Sequence, residues 1–372
     1  MGRVTLESAL GRRSVRTVLA AGCVPATLLL FGLGASGTPP LAAIESAERG
    51  PQQEERPLPR SYHAAAVVNG KIYVMGGAGE DNKPFASVQV YDPATGTWAA
   101  RANMPTPRGL FGASSVRGTI YAVGGTTRGP DKLAVVEAYD TATDTWTRRA
   151  DMPTPRNALS TAVVDGKVYA IGGWGFDRPE GGWESLDLKV GAKDFSTVEV
   201  YDPETDTWAT RADMPTPRSH MTVSAFGGRI YAIGGGIPRL GADEYLSLME
   251  VYDTATNRWA PAVDMPTPRS VPSSSVIDGR IYVMGGAIGK AGASSLEERL
   301  RSVRILSVVE IYDPASGCWT RGADLATARG WFSTSVVNGK VYVAGGRSLA
   351  PDGGILGAKP TFPGIEVYTP TR

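Results

Sequence analysis

Six arginines, Arg60, Arg108, Arg156, Arg218, Arg269 and Arg329, each stand 16 residues ahead of a Gly-Gly pair that begins at Gly76, Gly124, Gly172, Gly234, Gly285 or Gly345. A guanidinium is a planar fork of donors suited to carboxylates and phosphates, so six brought together would form an anion site. A second set bears on that chemistry: Glu137, Glu199, Glu250, Glu310 and Glu366, with Gln89 at the first equivalent position, each lie two residues before a Tyr. Ligand contact by the arginines and neutralising pairing with these glutamates both stand as readings. Other reactive groups are sparse. The only two histidines, His63 and His220, exclude a three-histidine metal site and read as core or pocket-wall residues. "DTATDT" at 140–145 and "DPETDT" at 202–207 are similar to calcium loops but lack the Gly and the distal Glu of an EF-hand, so they read as turns. No catalytic residue, metal site or cofactor is assigned.

The elements that must position these residues come from spacing. Tyr91, Tyr139, Tyr201, Tyr252 and Tyr312 are each followed by Asp and, seven residues on, by Trp98, Trp146, Trp208, Trp259 or Trp319; each Trp is ten residues before the next Arg. Such a period is sought before any local motif. One copy contains four strand signals. "SYHAAAVV" is closed by the hairpin pair "NG"; "KIYVM" ends at Gly76-Gly77; "SVQVY" is closed by "DPATGT"; "TWAAR" is the fourth. Four strands in about 50 residues make one propeller blade.

With its double glycine, its Tyr-Asp turn and its Trp, the repeat resembles the kelch family over residues 60–368. The resemblance implies an all-β fold: a six-bladed kelch-type β-propeller with four antiparallel strands per blade. It implies much less about function, since such propellers include partner-binding modules and a few enzymes. In similar adaptor domains an Arg at the repeated position can reach a ligand in the central pocket. Copper-radical oxidases of the wider group need a Tyr–Cys pair, but Cys318 sits beside Trp319 on an outermost strand, which argues against that chemistry. The sixth copy stops at Arg372 before a Trp-bearing strand, so a strand from roughly 50–56 is expected to close the ring. Gly50 occupies the Trp position there, which predicts a weaker closure.

Strand direction places the "MPTPR" crossovers (104–108 and equivalents) on the same face as the loops after the double glycines. Their prolines stiffen a crossover that has no ladder partner. All length variation falls on this face: the second Gly to Tyr distance runs from 14 residues in blades one and two to 28 in blade three. In the blade-three loop, Trp174, Phe176 and Trp183 lie beside Asp177, Glu180 and Glu184, and Trp174 and Trp183 join the six arginines as candidate ligand contacts. A loop packed on its own aromatics is the other reading. "SSLEERLRSVRIL" in blade five has the pattern of a short helix.

Composition limits the partners. Lys plus Arg number 38 against 37 for Asp plus Glu, a net charge of +1, so no broad field favours nucleic acid. Arg3, Arg12, Arg13 and Arg16 precede an uncharged run from Val18 to Ala35, the pattern of a secretory signal, with an N-terminal membrane anchor as the alternative. The expected organisation is a signal peptide at 1–37, a linker and closing strand at 38–59, and the propeller at 60–372. Loss of Cys23 with the signal leaves Cys318 alone, so the core must hold the fold. These features predict an exported, periplasmic or secreted, monomeric binding module. The expected partner is a protein, acidic peptide or acidic glycan held on the Arg-bearing face; membrane contact is expected only through an uncleaved N-terminal segment. The alternative is a carbohydrate-active enzyme resembling secreted sialic-acid epimerases.

Overall fold

The computed structural model describes residues 56–127, 132–176, 192–239, 242–289, 298, 301–348 and 361–370. The expected signal, the linker, nearly all of the closing strand, and Trp183 lie outside these residues.

Blade one consists of Ala64–Val68, Lys71–Met75, Val88–Asp92 and Thr97–Arg101, paired antiparallel in that order from axis to rim. Blades two to five repeat it, with innermost strands Gly112–Val116, Ser160–Val164, Thr222–Phe226 and Ser273–Ile277. Blade six has Ser333–Val337, Lys340–Ala344 and Ile365–Tyr368 among the described residues. The six innermost strands neighbour one another in a closed ring.

Local chemistry explains each element. Every hairpin between the first two strands has two residues at positive φ, from Asn69 and Gly70 to Asn338 and Gly339. That is the tight turn whose twist matches the strands, and it favours the "NG" and "DG" pairs. The second strand carries the core: Ile72, Val74 and Met75 are buried, as are Ile120, Ala122 and Val123 in the next blade.

The double glycine is an inter-blade device. A Cβ on Gly124 would lie 2.7 Å from the carbonyl oxygen of Arg156 in the following blade. Gly125 then donates its N–H to that same oxygen at 2.9 Å. The first glycine makes room and the second makes the bond. The pattern continues around the ring, and Gly346 donates to Arg60 O at 2.8 Å, joining blade six to blade one.

At the rim, Trp146 packs on Tyr139 at 5.0 Å between ring centroids and donates its indole N–H to Ala102 O of the preceding blade at 2.9 Å. Asp144 completes the latch, accepting from Tyr139 Oη at 2.6 Å and from Ala102 N at 2.7 Å. Asp206 and Asn257 make the same contacts in blades three and four. These residues sit at positive φ, which Asp, Asn and Gly tolerate best, and Gly96 and Gly317 occupy the same place in blades one and five.

Candidate functional site

The arginines come first, because their surroundings decide what remains for ligand. All six are buried: Arg329 is 4% exposed, Arg60 1% and the others 0%. Arg156 Nη1 donates to Glu199 Oε2 at 2.6 Å, while Nη2 donates to Ala170 O at 3.1 Å. Thr154, two residues earlier, donates to the other carboxylate oxygen at 2.8 Å. Arg108–Glu137, Arg218–Glu250 and Arg329–Glu366 pair at 2.6 Å, and Arg269 pairs with Glu310. Arg60 meets neutral Gln89 at 2.9 Å, and Gln89 also binds the backbone of Arg56 and Leu58. Within "MPTPR", Met152 is buried in the core and Thr154 and Arg156 share one glutamate. The pentapeptide is thus a bracket that ties each crossover to the third strand of its own blade. The arginines are brought together as one framework pair per blade, not as exposed forks at the pore.

The mouth of the axis is built two residues further on. Tyr62, Leu110, Ala158, His220, Val271 and Trp331 all adopt positive φ, between 49° and 60°. Each donates its backbone N–H to the carbonyl of its counterpart in the preceding blade: Leu110 to Tyr62 at 2.8 Å, Ala158 to Leu110 at 2.8 Å, His220 to Ala158 at 3.0 Å, Val271 to His220 at 2.8 Å, Trp331 to Val271 at 3.4 Å, and Tyr62 to Trp331 at 3.2 Å. Six blades are joined by a cyclic hydrogen-bond ring. Hydrogen-bonded pairs stand about 5.5 Å apart at Cα, so opposite members of a hexagonal ring are about 11 Å apart. That span admits a side chain or a single ring but not a helix, which is itself 10–12 Å wide.

The side chains of this ring and of the residues after them line a cavity of about 120 Å³. Tyr62 and Trp331 meet edge to face at 5.7 Å. Three blades away, on the opposite wall, His220 has Nδ1 3.0 Å from Ser219 Oγ. Burial pulls its pKa down to about 4. His63 is pulled to about 3 by burial and by the charge of Arg60, and its Nε2 lies 2.8 Å from Ser333 Oγ. Both rings are therefore neutral near pH 7, and the described lining contains no Asp or Glu. Deeper along the axis the innermost strands enclose a second cavity of about 300 Å³, lined partly by Ser114, Ser115, Thr161, Ser224, Ser274 and Ser275. These hydroxyls bond one another across blades, as Ser114 to Thr161 at 2.9 Å and Ser224 to Ser274 at 2.8 Å.

The remaining expected residues divide. Trp174 is half-buried on the loop face, with Phe176 at 5.7 Å and the Lys132 ammonium 4.4 Å above its ring. Helical residues occur at Glu298, Arg301 and Ser302, within the segment read as a short helix. Among the described residues no helix is long and apolar enough to cross a membrane. The mouth ring itself was missed by sequence reasoning. The one signal was its fixed offset of two from each Arg, since Tyr, Val and Trp give no hint of positive φ.

Comparison with known proteins agrees with this architecture. A family model for the KLHDC2/KLHL20/DRC7 Kelch-repeats domain matches residues 44–213, and the Kelch motif model matches 217–266 and 268–326. Among curated relatives, alpha-scruin of Limulus polyphemus is 29% identical over 46% of the chain and 18% of its own length. Kelch repeat and BTB domain-containing protein 12 of Danio rerio is 32% identical over 40% of the chain and 25% of its own length. The match thus spans a quarter or less of these relatives. The solved structure of YjhT superposes with a TM-score of 0.68 at 18% identity, covering 85% of this chain and 99% of that one. It is a likeness of fold.

Proposed function

The chain belongs to the kelch-repeat family, and on that premise we propose that it is a binding module that takes a side chain of a protein or peptide partner into the mouth of its loop face. One observation carries this reading. The framework positions repeat from blade to blade, whereas the mouth position, held in one backbone conformation by the cyclic ring, is Tyr, Leu, Ala, His, Val and Trp in turn. Identity of backbone with diversity of side chain is what a recognition surface needs. Positive φ costs roughly 1–2 kcal/mol at a non-glycine residue, and strain of this kind clusters at functional sites. The partly exposed Tyr62 and Trp331 supply aromatic anchors, residue types enriched at binding hot spots, and Leu110 adds apolar contact beside them. A lining without Asp or Glu among the described residues supports binding over acid–base turnover of a sugar. The signal-like residues 1–37 support a partner met outside the cytoplasm, with the chain acting as a monomer.

The test is to select peptides from a random display library on the folded protein, then map their contact by photo-cross-linking. A benzophenone side chain at position 331 in the mouth should capture the selected peptides. One at position 226, on the opposite face, should not. Capture at 226 alone would put the site elsewhere.

A further inference from the structure

The residue that follows the double glycine differs in every blade but two: Ala78, Thr126, Trp174, Gly236, Ala287 and Arg347. Arg347 is therefore a guanidinium that the repeat does not supply elsewhere at this position. It is 2% exposed. Its fork crosses from blade six to blade one: Nη1 donates to Tyr62 Oη, and Nη2 to Gly79 O and Asn82 Oδ1, each at 3.1 Å. The guanidinium carbon lies 4.9 Å over the Tyr62 ring.

One feature sets it apart from five of the framework arginines. Five of those have a glutamate, while Arg347 pairs with no carboxylate among the described residues. Its buried Nε, like those of Arg60, Arg156 and Arg218, makes no hydrogen bond to a described group. An uncompensated buried cation is costly and imposes its field on whatever is near. The near group is Tyr62, which lines the mouth. Because Tyr62 Oη accepts from Arg347, its own hydrogen must point elsewhere, and no described group accepts it. Donation from a cation strengthens the phenol as a donor. With neutral histidines and no carboxylate in the described lining, the Arg347 charge reaches the mouth through Tyr62, as that of Arg60 reaches it through His63.

We propose that Arg347 is a positioning residue that commits the Tyr62 hydroxyl to donate into the mouth, so that the site selects a partner group carrying a carboxylate beside an apolar body. The carboxylate faces Tyr62 and the apolar part rests on Trp331 and Leu110. This rests on the mouth being the binding site, and the test separates the two.

Phenylacetate and benzyl alcohol share a ring and differ in the anion. Ligand-observed NMR on the full propeller should show phenylacetate bound in preference to benzyl alcohol. Arg347→Gln should weaken phenylacetate about tenfold and change benzyl alcohol less than twofold, with Arg347→Lys partly restoring the preference. The phenol gives an independent readout: burial raises the Tyr62 pKa and the Arg347 charge offsets that rise. Carbon-13 NMR of the Tyr62 ring should therefore show its titration moving to still higher pH in Arg347→Gln. Equal losses of both probes, or an unmoved Tyr62 titration, would overturn the role of Arg347 while leaving the mouth as a site. A wild-type chain that binds neither probe would remove both. Should Arg347→Gln not fold, Tyr62→Phe deletes the same donor and must abolish the preference for phenylacetate.

Discussion

Removing Arg156 tests whether the repeated arginines belong to the framework. In Arg156→Ala, Glu199 stays 2% exposed and loses its cation, keeping only the Thr154 hydroxyl on one oxygen, while Ala170 O loses a donor. Breaking a buried pair by removing one partner costs about 3–5 kcal/mol, because a charge remains buried without compensation. Replacing the whole pair by apolar groups of similar volume is often close to neutral. Arg156→Ala should therefore lose about 3–5 kcal/mol in urea unfolding followed by tryptophan fluorescence, and Arg156→Met with Glu199→Leu should recover most of it. With about 2–4 °C per kcal/mol for a large domain, the single variant should melt roughly 6–20 °C lower. A single variant within about 0.5 kcal/mol of wild type, or a double variant no better than the single, would refute the framework role. Charge reversal, as in Arg108→Glu, should abolish folding and binding together.

Three further outcomes follow from the same geometry. His63 and His220 have folded pKa values near 3 and 4 against an ordinary 6.5, so between these limits the unfolded chain binds more protons and stability falls as pH falls. For His63 the loss from pH 7 to pH 4.5 is about 2–3 kcal/mol, and His63→Gln should show a correspondingly shallower decline in urea unfolding; an identical decline would contradict the burial. Gly124→Ala places a Cβ 2.7 Å from Arg156 O at positive φ, whereas Gly118→Ala meets open space at positive φ. The first should cost about 2–4 kcal/mol and the second about 1 kcal/mol, and equal costs in urea unfolding would deny the close approach. At the N-terminus, mass spectrometry of the exported protein should find a chain beginning after residue 30, near Thr38, and deleting residues 45–58 should lower the melting temperature; an intact Met1 or unchanged melting would refute export processing or N-terminal closure respectively.

Much of the fold could be read from residue types whose roles are local. "NG" and "DG" pairs fix the hairpins, and the prolines of "MPTPR" mark a crossover, because these residues carry their backbone preference with them. The period then gives the blades, and the confinement of length changes to one side gives the loop face. The pairing of Arg with Glu two residues before Tyr was one of two readings in the sequence, and only distances could separate them. Asp144, Asp206 and Asn257 were legible in principle, since Asp, Asn and Gly recur five residues after each Tyr. The mouth was not legible. Positive φ at Tyr62, Val271 and Trp331 opposes their own preferences and is imposed by the ring, a closure that no single repeat contains. Arg347 was hidden for the same reason: its partners are 265 to 285 residues away in sequence, across the seam.

The division of labour between framework and mouth comes down to affinity and stability measured together on one variant. Leu110→Ser with Trp331→Ala removes two half-exposed mouth anchors while leaving the Arg–Glu brackets and the cyclic backbone ring in place. For a peptide selected on the wild-type chain, Kd should rise at least about tenfold, as expected for loss of hot-spot anchors, while the unfolding free energy changes by less than about 1 kcal/mol. An unchanged Kd in a variant that folds normally would contradict the assignment of the mouth as the binding site.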